Sequence, residues 1–320
     1  MRARRAVVWV AMVFVAACGS PKSPQAVTIA PVTVIPGGAT EVTTAPATGS
    51  AGCGDREASL RPGPPPRPGA MPPGSTMEAI FERGRLVVGV DQNTFPFGFR
   101  NPATGQLEGF DIDLAREVAR RIFGDPDHID LRVVNASERE SALQSGQVDL
   151  VVRTYSITCD RKTKVGFSTP YFYANQRILA VKGSGIRSAT DLSGKRVCAV
   201  QGTTSLSALF GLDPRPTLFG VSQWTDCLVM LQQGQVDAIS TDDVVLTGLA
   251  DQDPNVEVVG ANIAAEPYGI GVKLESDDLV RFVNGALDAM REDGTWERLY
   301  EARLRALGPS PGPPPARYQD

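Results

Sequence analysis

The chain has 320 residues, 42 % hydrophobic and 21 % charged, an ordinary soluble composition with room for two or three domains. A net charge of −4, from 32 basic and 36 acidic residues, argues against a nucleic-acid binder working through a basic stripe. With one histidine, His128, and no C-x-x-C pair, the chain offers neither a histidine-rich metal centre nor thioredoxin-type chemistry; no metal and no cofactor is expected.

Residues 1–17 read as an export signal. Arg2, Arg4 and Arg5 precede an apolar run over 6–17, too short for the roughly 20 residues that span a bilayer. Small residues lead to Cys18, in the pattern of the bacterial lipobox, where the cysteine is acylated and becomes the new N-terminus. Lipidation at Cys18 would hold the protein on the outer face of the cell membrane, since several acyl chains anchor far better than one. The competing readings are a plain secretory signal with an incidental cysteine, or an uncleaved anchor.

Residues 18–76 show neither helical nor strand period and are rich in Pro, Gly, Ala, Thr and Ser. Such a stretch buries too little apolar surface to offset its ordering entropy, so it reads as a disordered tether. Residues 308–320 read as a disordered tail on the same grounds. Outside the cytoplasm the four remaining cysteines suggest disulfides, and four allow three connectivities. Cys198 lies in a strand-like run and Cys227 in a helix-like one, which favours 198–227 and leaves Cys53 for Cys159. Free buried thiols are the alternative.

An internal repeat organises the rest. Leu143-Gln144-Ser145-Gly146-Gln147-Val148-Asp149 recurs 88 residues on as Leu231-Gln232-Gln233-Gly234-Gln235-Val236-Asp237. Both read as a helix end followed by a short buried strand. A second echo pairs the strand-like 86–90, after Gly84, with 196–200, after Gly194. Unless these echoes are chance, the chain folds as two α/β lobes of similar plan with mainly parallel sheets. Ligands bind beyond the carboxyl ends of strands in such sheets. Those ends carry Asp91; Arg153, Thr154 and Ser156; Thr203 and Thr204; and Asp242. Together with Arg161 they form an inventory of both signs that suits a zwitterion: a guanidinium for an α-carboxylate, a carboxylate for an α-ammonium. Each has a plainer alternative, Arg161 as a solvated face charge and Asp242, Thr203 or Thr204 as helix caps.

At these residues the chain resembles the family 3 extracellular solute-binding proteins, the amino-acid receptors of bacterial ABC importers. The resemblance covers about 85–304. It rests on motifs in order: Leu86-Val87-Val88-Gly89-Val90-Asp91 with Phe95-Pro96-Phe97; Gly109-Phe110-Asp111-Ile112-Asp113-Leu114-Ala115; the Leu143–Asp149 run; Ser156-Ile157-Thr158 with Arg161-Lys162; Phe167-Ser168-Thr169-Pro170-Tyr171; Asp191-Leu192-Ser193-Gly194-Lys195; Gly202-Thr203-Thr204; Pro267-Tyr268-Gly269-Ile270; and Asp293-Gly294-Thr295-Trp296. The 154–158 run and the Cys198/Cys227 pair look closest to actinobacterial glutamate/glutamine-binding lipoproteins.

The resemblance implies a two-lobed periplasmic-binding-protein-like α/β fold with a double-crossover hinge. Lobe 1 would be 77–179 plus 268–307 and lobe 2 180–267, with crossings near 179–181 and 266–269. It implies that Arg161 holds the ligand carboxylate and Asp242 pairs the amine. Ser156 would touch both groups, Thr154 would accept from the amine through its backbone, and Thr203 and Thr204 would close on the carboxylate. Asp91 would read the ligand side chain. Thr94 and Ala136 stand where family aromatics often occur, so Phe95 or Phe97 would supply the wall. Arg153 would favour a side-chain carboxylate, Asp91 an amide, unless the two pair with each other. The implied protein is a monomer that is not an enzyme. It would capture glutamate, glutamine, aspartate or asparagine and dock on the transmembrane subunits of an ABC permease. A sensor reporting to a membrane signalling partner, or a dehydratase-type enzyme on the same fold, are the rival readings.

Overall fold

The computed structural model of this chain describes residues 36–46 and 52–320. The signal segment 1–17 and Cys18 lie outside the described residues. In chain order the strands and helices begin with β1 (Thr40–Glu41), α1 (Thr76–Arg83), β2 (Leu86–Val90), β3 (Asn93–Thr94), β4 (Gly98–Arg100), β5 (Leu107–Glu108), α2 (Phe110–Phe123) and β6 (Ile129–Val133). They continue with α3 (Arg139–Gln144), β7 (Leu150–Val151), α4 (Cys159–Lys162), β8 (Val165–Phe167), β9 (Phe172–Val181), β10 (Arg196–Val200), α5 (Thr204–Phe210) and β11 (Thr217–Val221). The last are α6 (Trp224–Gln232), β12 (Ala238–Asp242), α7 (Asp243–Ala250), β13 (Val256–Tyr268), β14 (Gly271–Lys273), α8 (Asp277–Glu292) and α9 (Thr295–Arg303).

Two main sheets carry the molecule. Lobe 1 has the order β6-β2-β7-β14-β8, and lobe 2 the order β1-β11-β10-β12-β9-β13. In lobe 1, β2 runs parallel to β6 and β7; in lobe 2, β10 runs parallel to β11 and β12. The triplets β6-β2-β7 and β11-β10-β12 are therefore the same motif twice, α/β halves of one plan. The repeated aspartate has a structural reason. Asp149 accepts from the Val87 N–H at 2.8 Å and Asp237 from the Arg196 N–H at 2.8 Å. Each aspartate N–H in turn bonds the carbonyl of that same residue. In both lobes the carboxylate pins the register of two parallel strands at their start, so the echo marks sheet construction and not a ligand contact.

The crossings are made by β9 and β13, which pair antiparallel from Phe172↔Tyr268 to Val181↔Val256 with a bulge between Val259 and Ala264. Ile178, Leu179 and Ala180 pair with Ser240, Ile239 and Ala238 inside the lobe 2 sheet. The first crossing thus lies nearer 171–175 than the expected 179–181, because β9 is one ten-residue strand that enters lobe 2 early. Buried aromatic rings pack there: Phe97 meets Phe110, Phe172 and Tyr268 edge-on at 5.1–5.9 Å between centroids. Phe97 is fully buried in this cluster and is a core residue, not the expected cleft wall.

The ends of the chain depart from expectation. Residues 52–76 and 309–320 carry no periodicity, yet they lie against lobe 1. The structure pairs Cys53 with Cys159 and Cys198 with Cys227. Ser59 is buried, donates its hydroxyl to the Phe167 carbonyl at 2.6 Å, and accepts from the Asn284 amide at 2.8 Å. The Ser59 N–H bonds the Arg317 carbonyl at 3.0 Å, and the Gln319 N–H bonds the Ser59 carbonyl at 3.1 Å. A disulfide and specific backbone pairing order these stretches where apolar burial alone would not. Farther upstream, β1 adds antiparallel to β11 at the edge of lobe 2. Among the described residues no helix is long and apolar enough to cross a membrane.

Candidate functional site

The carboxyl ends of β2, β7, β10 and β12 point toward one cleft between the lobes, with a free volume of only about 20 Å³. Lobe 1 lines it with Arg139, Arg153, Thr154, Ser156 and Arg161; lobe 2 lines it with Thr203, Thr204, Ser205, Trp224, Thr241, Asp242 and Val245. Seven of the nine sequence-derived ligand residues meet here. Asp91 and Phe97 do not line the cleft.

Arg161 rides on α4, whose first turn is capped by Thr158 accepting from the Arg161 N–H at 3.2 Å. Its guanidinium donates to the Ser156 carbonyl at 2.7 Å and, across the cleft, to the Gly202 carbonyl at 3.0 Å. It also packs over the Tyr155 ring, 4.8 Å from the centroid. Arg139 covers the same ring at 4.2 Å and donates to the Gly202 carbonyl at 3.0 Å. Two guanidiniums so share one aromatic ring. Burial and the charge of Arg161 push the Arg139 pKa well down.

Arg153 and Asp91 form an ion pair at 2.9 Å, each 2 % exposed. Asp91 also accepts from the Gln92 and Asn93 N–H groups and from the Thr94 hydroxyl. It is fully engaged within lobe 1, so of the two sequence alternatives for this pair the mutual one is realised. The Nε of Arg153 is buried without a partner.

Thr154 has φ +38°, a rare conformation for a β-branched residue. Asp111 holds it there: one carboxylate oxygen accepts from the Thr154 N–H at 2.9 Å, the other from the Tyr171 hydroxyl at 2.8 Å. Burial pushes the Asp111 pKa up to about 7. Thr204 donates to Glu266 at 2.8 Å and reaches the Ser156 hydroxyl at 3.4 Å. Thr203 spends its hydroxyl on α5: it accepts from the Leu206 N–H at 3.2 Å and donates to the Val200 carbonyl at 2.7 Å. Its side chain is thus a helix cap, the plainer of its two readings.

Asp242 ends β12 and precedes α7 without capping it. One carboxylate oxygen accepts from the Tyr268 hydroxyl, while Oδ1 is buried with no hydrogen-bond partner. Burial, with the buried Glu266 carboxylate nearby, raises the Asp242 pKa well above the usual range. An orphaned carboxylate oxygen in a buried cleft calls for a cation or a donor.

Sequence reasoning missed Trp224 and Arg139, which line the cleft, and Asp111 and Glu266, which bond the lining residues Thr154 and Thr204. Trp224 is the aromatic residue that lines the cleft, whereas Phe95 and Phe97 do not. It follows β11, so the strand-end rule applied to a third lobe 2 strand would have found it.

Comparison with known proteins gives the same picture. The family model for bacterial extracellular solute-binding proteins, family 3, matches residues 86–304. The chain is 37 % identical to a Bacillus subtilis ABC transporter glutamine-binding protein, over 72 % of this chain and 85 % of that one. It is 33 % identical to a Corynebacterium glutamicum glutamate-binding protein, over 71 % and 80 %. The solved solute receptor for L-cysteine of Neisseria gonorrhoeae superposes with a TM-score of 0.71 at 29 % identity, over 74 % and 98 %. Two sister lobes, a double crossing and a closed polar cleft accompany these matches, and the chain belongs to the bacterial extracellular solute-binding proteins of family 3.

Proposed function

We propose that this protein captures a small polar amino acid outside the cytoplasm and delivers it to an ABC permease. The observation that carries this reading is the buried, unpartnered Oδ1 of Asp242 in a cleft whose other wall holds the Arg161 guanidinium. Arg161 clamps the α-carboxylate, helped by the Ser156 and Thr204 hydroxyls, and Asp242 pairs the α-ammonium. Thr154 offers its backbone carbonyl to the same ammonium, and Thr203 contributes its backbone. Arg153 lines the side-chain end, with its charge balanced by Asp91, which thereby acts on specificity through Arg153. The ligand is of the glutamate, glutamine, aspartate and asparagine class. Lysine and arginine are disfavoured, because Arg139 and Arg153 stand in a closed, poorly screened cleft. The relatives named for glutamine and glutamate support that class, and their naming as binding proteins supports a receptor over a catalyst. Lipidation at Cys18 fixes the receptor to the membrane, and contacts to both lobes favour the closed state that docks on the permease.

Calorimetric titration of the twenty amino acids into the mature chain tests this reading. Binding confined to the four named ligands, and abolished by Arg161→Ala, is the expected result. No heat with any of the four, or an Arg161→Ala variant that binds normally, overturns it.

A further inference from the structure

The lobes touch on two rims of the cleft, and each rim has a glycine where a side chain would not fit. On one, a Cβ added to Gly202 would stand 2.6 Å from the Ser137 Cα. Beside it Gln223 donates to Asn135 at 2.6 Å, and the Gly202 carbonyl takes its two guanidinium bonds. Gly202 has φ +74°, so its backbone alone requires glycine. The other rim is different. Gly248 sits inside α7 of lobe 2, where ordinary helical backbone suits any residue. A Cβ there would lie 1.9 Å from the Phe95 carbonyl oxygen and 2.9 Å from its carbon, both backbone atoms of the lobe 1 loop between β3 and β4. Backbone cannot swing aside as a side-chain tip can.

Helix propensity makes this position informative. Glycine in a helix interior is less favourable than alanine by up to about 1 kcal/mol, so nothing in the folding of α7 asks for it. The same helix starts directly after Asp242 and presents Val245 to the cleft. How closely α7 approaches lobe 1 therefore governs how far Asp242 stands from the Arg161 wall.

We propose that Gly248 is a positioning residue for ligand capture: its missing side chain lets α7 seat on the Phe95 carbonyl, and any larger residue holds the cleft ajar. The proposal rests on reading the cleft as the ligand site. The test compares the wild-type mature chain with Gly248→Ala and Gly248→Val. Affinity for the four amino acids is measured by calorimetry, rates by Trp224 fluorescence in stopped flow, and melting temperature without ligand. Gly248→Ala is expected to bind about tenfold or more weakly, the cost of overpacking a close contact. The loss falls mainly in the dissociation rate, and the ligand-free melting temperature is unchanged or raised. Gly248→Val should bind more weakly still. Wild-type affinity in Gly248→Ala, or a loss that only tracks a lower ligand-free melting temperature, overturns the proposal. If the wild type binds none of the four, the ligand reading fails by itself. A crystal structure of Gly248→Ala then decides the present point: lobes parted at the Phe95 rim uphold it, and α7 still in contact with the Phe95 carbonyl overturns it.

Discussion

Asp91 and Asp242 each stand at the carboxyl end of a parallel strand, β2 in lobe 1 and β12 in lobe 2, and they have opposite surroundings. Asp91 is saturated by Arg153, two backbone N–H groups and Thr94. Asp242 has a hydroxyl on one oxygen, nothing on the other, and Glu266 as a neighbour that repels its charge. Lobe 1 satisfies its carboxylate at this strand end, whereas lobe 2 leaves one carboxylate oxygen unpartnered. Two carboxylates at strand ends therefore need not do the same work: the first is spent inside its own lobe, and the second is the one proposed to meet the ligand.

Substitutions at the two positions should separate. Asp91→Ala strands the Arg153 charge in the interior and should lower the unfolding free energy by about 3–5 kcal/mol, read by urea denaturation. A variant of native stability that had lost its ligand would break the contrast. Asp242→Asn should do the reverse, weakening amino-acid binding by about a hundredfold. The ligand-free protein should meanwhile melt no lower than the wild type. A raised carboxyl pKa contributes stability at low pH that is lost as pH rises, and the amide imitates the protonated form. An Asp242→Asn protein with full affinity would sink the assignment of the ammonium.

The smallest effect belongs to Asp111, which supports the lobe 1 side through Thr154. Its pKa rises from 3.8 toward about 7 on folding. Its stabilising contribution is complete below the lower value and lost as pH climbs to the upper one. Asp111→Asn should flatten that part of the stability–pH curve, measured by thermal melts of ligand-free protein between pH 4 and 7. An unaltered slope would show that another group titrates there.

The repeat was legible in the sequence because its marker, the aspartate at 149 and 237, makes bonds within its own motif and so leaves a local signature. Strand ends were legible for the same reason: four of them follow directly from apolar runs, and their residues reach the cleft or its supporting shell. The Asp91–Arg153 pairing was legible only as one of two alternatives, and the surroundings of Asp242 were not legible. Both are decided by Arg153, Tyr268 and Glu266, partners brought in by folding from other strands. Arg139 escaped because its side chain reaches the cleft from the start of α3 and not from a strand end. The first crossing escaped because an apolar run does not show at which residue a continuous strand changes sheets. The proline-rich and carboxyl-terminal stretches look featureless to any periodicity argument, since what orders them is a disulfide and pairing across the length of the chain.

That pairing makes residues 53–61 and the last residues of the chain one structural unit. The Asp320 carboxylate accepts from the Arg61 N–H at 2.7 Å and bridges to Arg281, and Tyr318 bonds Asp288. Cutting back to the periodic part alone, 77–307, would leave Cys159 with a free thiol and strip the Asn284 amide of its acceptors at Ser59 and Leu60. A short recombinant version that keeps residues 52–320 preserves this seam, and tags or fusions belong upstream of Cys53 and away from the last residue.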